Sequence, residues 1–216
     1  MTMRVLGIDP GLTRCGVGVV DVERTRTASL VHYSVIRSSP DAPIEERLLT
    51  IAQGIDQAID EFGPAAVAVE RVFAQHNLRS VMGTAQVSGL ALHAAARRSI
   101  PVGMHTPSEV KASITGYGSA EKKQVQTMVA RILGLAELPQ PADAADALAL
   151  AICHAWRGNV SLQKQAAAAG GGVSTRMAKA QASAGTRSSG LTPAQRAWRA
   201  AERSGGTSGA SPRLTE

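Results

Sequence analysis

The chain of 216 residues has no apolar run near membrane-spanning length, and its opening Met1-Thr2-Met3-Arg4 passes straight into an apolar strand pattern with no sign of a signal peptide. Cysteine is scarce. Cys15 and Cys153 stand far apart in apolar surroundings, so a structural disulfide is not expected. No Cys/His spacing suits zinc, and no internal repeat stands out. Together these absences point away from membrane, secreted and zinc-dependent classes. They predict a protein of the reducing cytoplasm, with one domain-sized core and an appendage.

Positive charge is present but uneven. Of the net +6, residues 1–156 contribute −1, from 14 Lys/Arg against 15 Asp/Glu, while residues 157–216 contribute +7. The high pI therefore belongs to the tail and does not by itself make the body a nucleic-acid binder. From Ser161 onward the sequence is rich in Ala, Gly and Ser and short of large apolar residues. Such a segment buries too little surface to offset its chain entropy. The expected division is a folded domain over 1–157 and a basic, disordered tail over 158–216. One short helix is expected in the tail at 193–203, with Thr192, Pro193 and Gln195 as its start signals; its Trp198 reads as a docking residue.

The body alternates strand and helix patterns. "RVLGID", "CGVGVVDV" and "ASLVHYSVIR" predict an antiparallel meander. Ile44, Leu48, Ile51, Ile55, Ile59 and Phe62 recur at helical steps, and Gly63-Pro64 stops them. "AAVAVE" (65–70) is a short buried strand. Met82, Ala85, Gly89, Leu92 and Ala96 form a stripe of mostly small residues suited to close helix packing, within the core or against another subunit. "IPVGMH" is a further strand, and Thr106-Pro107-Ser108-Glu109 is a capping box. Val125, Met128, Val129 and Ile132 mark a helix ended by Gly134, and Pro141 opens a last one, "PADAADALALAICHAW". This order predicts an α/β fold, a mixed sheet flanked by helices.

Asp9 and Glu70 each stand where an apolar strand runs out. Asp9-Pro10-Gly11 also makes sense as a turn. If the two strands are neighbours, their carboxylates meet at one edge of the sheet. Asp143 and Asp146 are three apart on the last helix and share a face; Asp143 is also placed to complement the helix dipole. Four clustered acids repel unless cations intervene. Hard divalent ions with oxygen ligands, Mg²⁺ or Mn²⁺, are the natural partners. A pair of them clamps a phosphodiester, one activating the attacking water and the other stabilising the leaving 3′ oxygen.

The blocks "GIDPGLTRCGVGVV", "VERVFAQHN", "GSAEKKQVQ" and "PADAADALALAICH" resemble the four motif blocks of the RuvC family of bacterial Holliday-junction resolvases, in order and spacing over residues 3–157. The resemblance implies a ribonuclease-H-like fold, a homodimer, and Mg²⁺-dependent symmetric nicking of four-way DNA junctions in recombination and repair. It also implies partnership with the RuvA–RuvB branch-migration complex. By position it assigns the catalytic, metal-holding acids to Asp9, Glu70, Asp143 and Asp146. It makes Phe73 a wedge stacking on bases near the junction point and sets Lys111 and Lys122 near the scissile phosphate, Lys122 with a catalytic part.

Arg71, which either contacts phosphate or forms a surface ion pair, and Lys123 join the DNA-binding candidates. Arg79, Arg97 and Arg98 are weaker ones, Arg97-Arg98 reading as the polar end of a helix. The histidines show no pairing that demands a role, and His76 alone is a candidate proton shuttle. Rival readings are an actin- or sugar-kinase-like ATPase built on "DPGLT", a non-catalytic junction scaffold, and a related nuclease acting on RNA–DNA hybrid. The first needs a second domain that 216 residues do not hold, and the second leaves the clustered acids unexplained.

Overall fold

The computed structural model describes residues 2–71 and 78–169, with side chains described at 2–71 and 81–158. The chain divides into two compact units, Met1–Ala166 and Ala167–Glu216, and the fold below is that of the first. Phe73, His76, Trp198 and the helix expected at 193–203 lie outside the described residues.

Strands β1 (Thr2–Asp9), β2 (Arg14–Glu23) and β3 (Ala28–Arg37) form the expected antiparallel meander. Helix α1 (Ile44–Phe62) returns the chain so that β4 (Ala66–Glu70) pairs parallel to β1. Helix α2 (Leu78–Arg97) then carries it over to β5 (Val102–His105), parallel to β4. The sheet order is β3-β2-β1-β4-β5. Three further helices follow: α3 (Pro107–Thr115), α4 (Lys122–Ile132) and α5 (Ala142–Ala169). The mixed sheet flanked by helices is thus as the sequence predicts.

Local chemistry accounts for the boundaries. Gly63 ends α1 at φ 53°, donating its N–H to the Ile59 carbonyl, a left-handed cap that costs glycine least. The Thr106–Glu109 capping box opens α3, with both reciprocal hydrogen bonds present.

Strand alternation sorts two cores onto the two faces of the sheet. Leu6, Ile8, Val17, Val19, Val67 and Val69 pack with Ile51, Ile55 and Ile59 of α1 and with Val87, Ala91 and Ala95 of α2. Val5, Val20, Val22 and Ala68 pack on the other side with Val110, Val125, Val129 and Leu148 of α3, α4 and α5. Helix α2 turns a different side inward from the stripe picked out by periodicity. Val87, Ala91, Ala94 and Ala95 are buried, whereas Ala85, Gly89 and Ala96 are exposed, along with Met82 at 60% and Leu92 at 36%. Core packing is therefore excluded for that stripe within one chain. Both cysteines are buried and free. Among the described residues no helix is long and apolar enough to cross a membrane.

Candidate active site

Parallel pairing of β1 with β4 joins Ile8 to Val69 in register, so Asp9 and Glu70 follow side by side at one edge. Parity gives them the same face. Asp9 alternates with Gly7 and Val5, and Glu70 with Ala68, all on the side covered by α5. An acid at the end of an apolar strand is here an acid turned toward a helix.

Three glycines decide how closely that helix approaches. A Cβ on Gly7 would come within 2.9 Å of the Ala151 nitrogen. One on Gly16 would lie 2.7 Å from the Asp143 carbonyl carbon, and one on Gly18 would lie 2.6 Å from the Leu148 nitrogen. Gly7 faces Gly18 across the β1–β2 pair, and Gly16 faces Asp9. The backbone of α5 therefore lies directly on the sheet along a channel without side chains. Buried Ala144, Ala147 and Ala151 keep the helix slim at this contact. Asp143, in the first turn of α5, and Asp146 are thereby brought over the ends of β1 and β4.

Burial and mutual charge act together on these acids. Burial, and then the charges of Glu70, Asp146 and Asp143, push the Asp9 carboxyl up to about 7. Burial and Asp146 also raise Glu70, while Lys122 opposes both shifts. Two cations balance part of this charge. Lys122 Nζ lies 2.6 Å from Asp146 Oδ2, and Arg14 Nε lies 2.8 Å from Asp143 Oδ2. Among the described residues no three acid, imidazole or thiol side chains stand close enough together to hold a metal ion as they are placed. The donor set nonetheless fits a hard divalent cation: it is all carboxylate oxygen, with more negative charge than its two cations neutralise.

Beside the acids a pocket of about 200 Å³ is lined by Glu70, Asp146, Lys111 and Lys122, with Pro107, Val110 and Val125 among its apolar walls. Lys111 and Lys122 thus belong to one place. Lys123 does not: it lines a separate hollow with Tyr117, Gln124 and Arg131. Arg71 is exposed just past Glu70, its N–H donating to the His105 carbonyl at 2.7 Å. Arg98 is committed elsewhere, to Asp56 and Asp60 of α1, and Arg97 lies 3.9 Å from Asp56. Arg79 belongs to α2, but its side chain is not among those described.

Two features escaped the sequence reading. Arg14 partners Asp143, and a signal was available: Arg14, Gly16 and Gly18 alternate on the face that meets α5. The histidines, which showed no pairing in the sequence, do pair in the fold. His105 Nε2 and His154 Nδ1 are 2.9 Å apart, and burial followed by the His154 charge lowers His105 to about 4. No sequence spacing links a strand end to a position far along α5.

Comparison with known proteins bears directly on this arrangement. The family model of crossover junction endodeoxyribonuclease RuvC matches residues 5–154. A protein of that name from Leifsonia xyli is 62% identical over 99% of this chain and 98% of its own length. The Thermus thermophilus RuvC structure in complex with a Holliday junction substrate superposes with a TM-score of 0.70 at 39% identity, covering 74% of this chain and 96% of that one. The yeast mitochondrial Holliday junction resolvase Ydc2, at 15% identity, shares the fold with a TM-score of 0.55 over 76% of this chain and 84% of its own. With four acids gathered at the sheet edge inside the matched span, this chain belongs to the RuvC family of crossover junction endodeoxyribonucleases.

Proposed function

We propose that this chain resolves four-way DNA junctions by paired symmetric nicks, acting as a divalent-metal-dependent endodeoxyribonuclease in homologous recombination and repair. The observation that carries the reading is the excess of acids over cations where Asp9, Glu70, Asp143 and Asp146 meet. A surface built only to bind DNA phosphates has no use for that excess.

The four carboxylates would hold the metal, which we assign as two Mg²⁺ per site with Mn²⁺ able to substitute. When bound, these ions would activate the water and offset charge on the leaving oxygen. The chain's own residues do the rest. The cradle of Gly7, Gly16 and Gly18 fixes the helical acids against the strand acids. Lys122 and Lys111, on one pocket wall, offset phosphate charge, which grows in the transition state. Water attacks phosphorus, the bond to the 3′ oxygen breaks, and that oxygen takes a proton, leaving a 5′ phosphate and a 3′ hydroxyl. Phe73 would stack on bases at the distorted crossover, with Arg71 and Lys123 as further contacts to the DNA backbone.

A junction with two-fold symmetry calls for two like sites, which a C2 homodimer supplies. The outward stripe of α2 supports that state, because a helix apolar on both sides is normally covered on both. RuvA–RuvB is the proposed partner complex and the cytoplasm the proposed compartment. The folded nuclease domain is assigned to 1–157, with α5 running on past that boundary to Ala169. The basic tail, 158–216, would add non-specific DNA affinity, so deleting 161–216 should flatten the salt dependence of binding.

The test uses a labelled four-way junction and a linear duplex of matching sequence. Paired nicks confined to the junction in Mg²⁺, absent in Ca²⁺ and lost in Asp9→Asn and Glu70→Gln protein that still binds, are expected. Tight junction binding without cleavage in Mg²⁺ or Mn²⁺, across several junction sequences, would favour a scaffold instead.

A further inference from the structure

We propose that Arg14 is a resident counter-cation that neutralises Asp143 in the ion-free site, gives the carboxylate up to an arriving divalent ion, and then turns its guanidinium to the DNA backbone. This rests on the reading of the acids as a divalent-ion site.

Backbone geometry makes Arg14 and Asp143 neighbours. Arg14 opens β2 two residues before Gly16, on the same face, and Gly16 is the residue on which the Asp143 backbone rests. Arg14 Nε reaches Asp143 Oδ2 at 2.8 Å, with the two side chains 43% and 26% exposed. An ion pair this open to water is weak, so a divalent charge can displace it. A buried pair would resist, because each partner left alone would be costly. Across the sheet, Arg14 faces Arg37 in register. Like charges directly opposite repel, and Asp143 currently offsets that repulsion. Once an ion takes the carboxylate, the Arg14 guanidinium stands beside Arg37 at the rim of the site. A phosphate is the anion that would satisfy both. Lys111 and Lys122 sit together in the pocket beside Glu70 and Asp146, whereas Arg14 reaches the acids from the β2 side.

The experiment measures Mn²⁺ binding to the full chain without DNA, by electron paramagnetic resonance, for wild type, Arg14→Gln, Arg14→Lys and Arg37→Gln. Removing the resident cation should tighten Mn²⁺ binding roughly two- to fivefold, with Arg14→Lys between and Arg37→Gln near wild type. A second arm measures affinity for a four-way junction with and without Ca²⁺. Wild type should gain affinity from Ca²⁺, and Arg14→Gln should lose roughly half or more of that gain. Mn²⁺ affinity unchanged or weakened in Arg14→Gln, or an equal Ca²⁺ gain in both proteins, would overturn the proposal and leave the ion site standing. Equal tightening by Arg37→Gln would also overturn it, by reducing the effect to general charge. Absence of Mn²⁺ binding in every variant would remove both the proposal and the ion-site reading.

Discussion

Asp56 and Asp60 lie one turn apart on α1, and Asp143 and Asp146 lie one turn apart on α5, but the two pairs are neutralised differently. On α1 a single guanidinium spans both acids. Arg98 donates from Nη1 to Asp56 at 2.5 Å and from Nε and Nη2 to Asp60, each at 2.7 Å. Those bonds hold the Asp60 carboxyl below the usual range. On α5 each acid takes its own cation, Arg14 or Lys122, and behind them Asp9 and Glu70 are driven upward by burial and by their neighbours' charge. The number of acids per cation and the depth of the site separate a finished staple from a site still able to accept positive charge. The same side chains at nearly the same spacing thus join two helices in one place and assemble chemistry in another.

One substitution made in both pairs breaks the comparison most sharply. Asp146→Asn should lower junction cleavage by roughly 10³-fold or more, since it removes a metal-holding oxygen and the partner of Lys122. Asp60→Asn, cut from the staple, should leave cleavage within about twofold, in keeping with a surface change distant from the site. Single-turnover cleavage of a labelled junction measures both. The glycine channel comes next. In Gly16→Val the new side chain meets the Asp143 backbone, where no flexible neighbour can yield. Overpacking of this kind costs about 1–3 kcal/mol, readable by urea unfolding. Cleavage should fall further than stability accounts for, because the wedge lifts Asp143 itself.

Much of this is legible in the sequence. Asp9 and Glu70 could be set at one sheet edge only on the condition that their strands are neighbours, a condition that the parallel pairing of β1 with β4 meets. That Asp143 and Asp146 share a face follows from helical spacing, while their place in the site came with the family resemblance. The stripe on α2 did not resolve, because the helix carries small apolar residues on both sides; Val87 and Ala91 are as periodic as Ala85 and Gly89. Periodicity finds a face only when the opposite one is polar. The alternation of Arg14, Gly16 and Gly18 marks the face Arg14 occupies, but its partner is fixed only by the seating of α5 on Gly16, a tertiary contact. The His105–His154 pair escaped for the same reason, being made between a strand end and a helix far along the chain.

Ion-free protein should show the unfinished charge of the site as a pH effect. Asp9 titrates near 7 in the fold against 3.8 ordinarily, so between those values the folded state holds a proton that the unfolded chain releases. Stability from this group is full below about 4 and lost as pH rises through about 7. His105, lowered to about 4 from 6.5, works oppositely, losing stability as pH falls through that window. The difference between wild type and Asp9→Asn isolates the aspartate. In EDTA, Asp9→Asn should gain on wild type as pH goes from 5 to 8, by on the order of a few kcal/mol. Urea midpoints at the two pH values measure it, and a difference that does not change with pH would mean that Asp9 is less buried, and the other acids farther from it, than described.

The smallest effect belongs to the staple. Arg98→Gln removes three charge-assisted hydrogen bonds to α1, yet they lie at the surface, where water and salt replace much of what is lost. A melting temperature lower by only a few degrees is expected. The gap between variant and wild type should shrink at 1 M salt, where the screening length is about 3 Å. Cleavage should be unchanged, since Asp56, Asp60 and Arg98 face none of the four acids. A cleavage defect matching that of Asp146→Asn would show that the α1–α2 packing transmits to the sheet edge, and the two charge clusters could no longer be treated as separate devices.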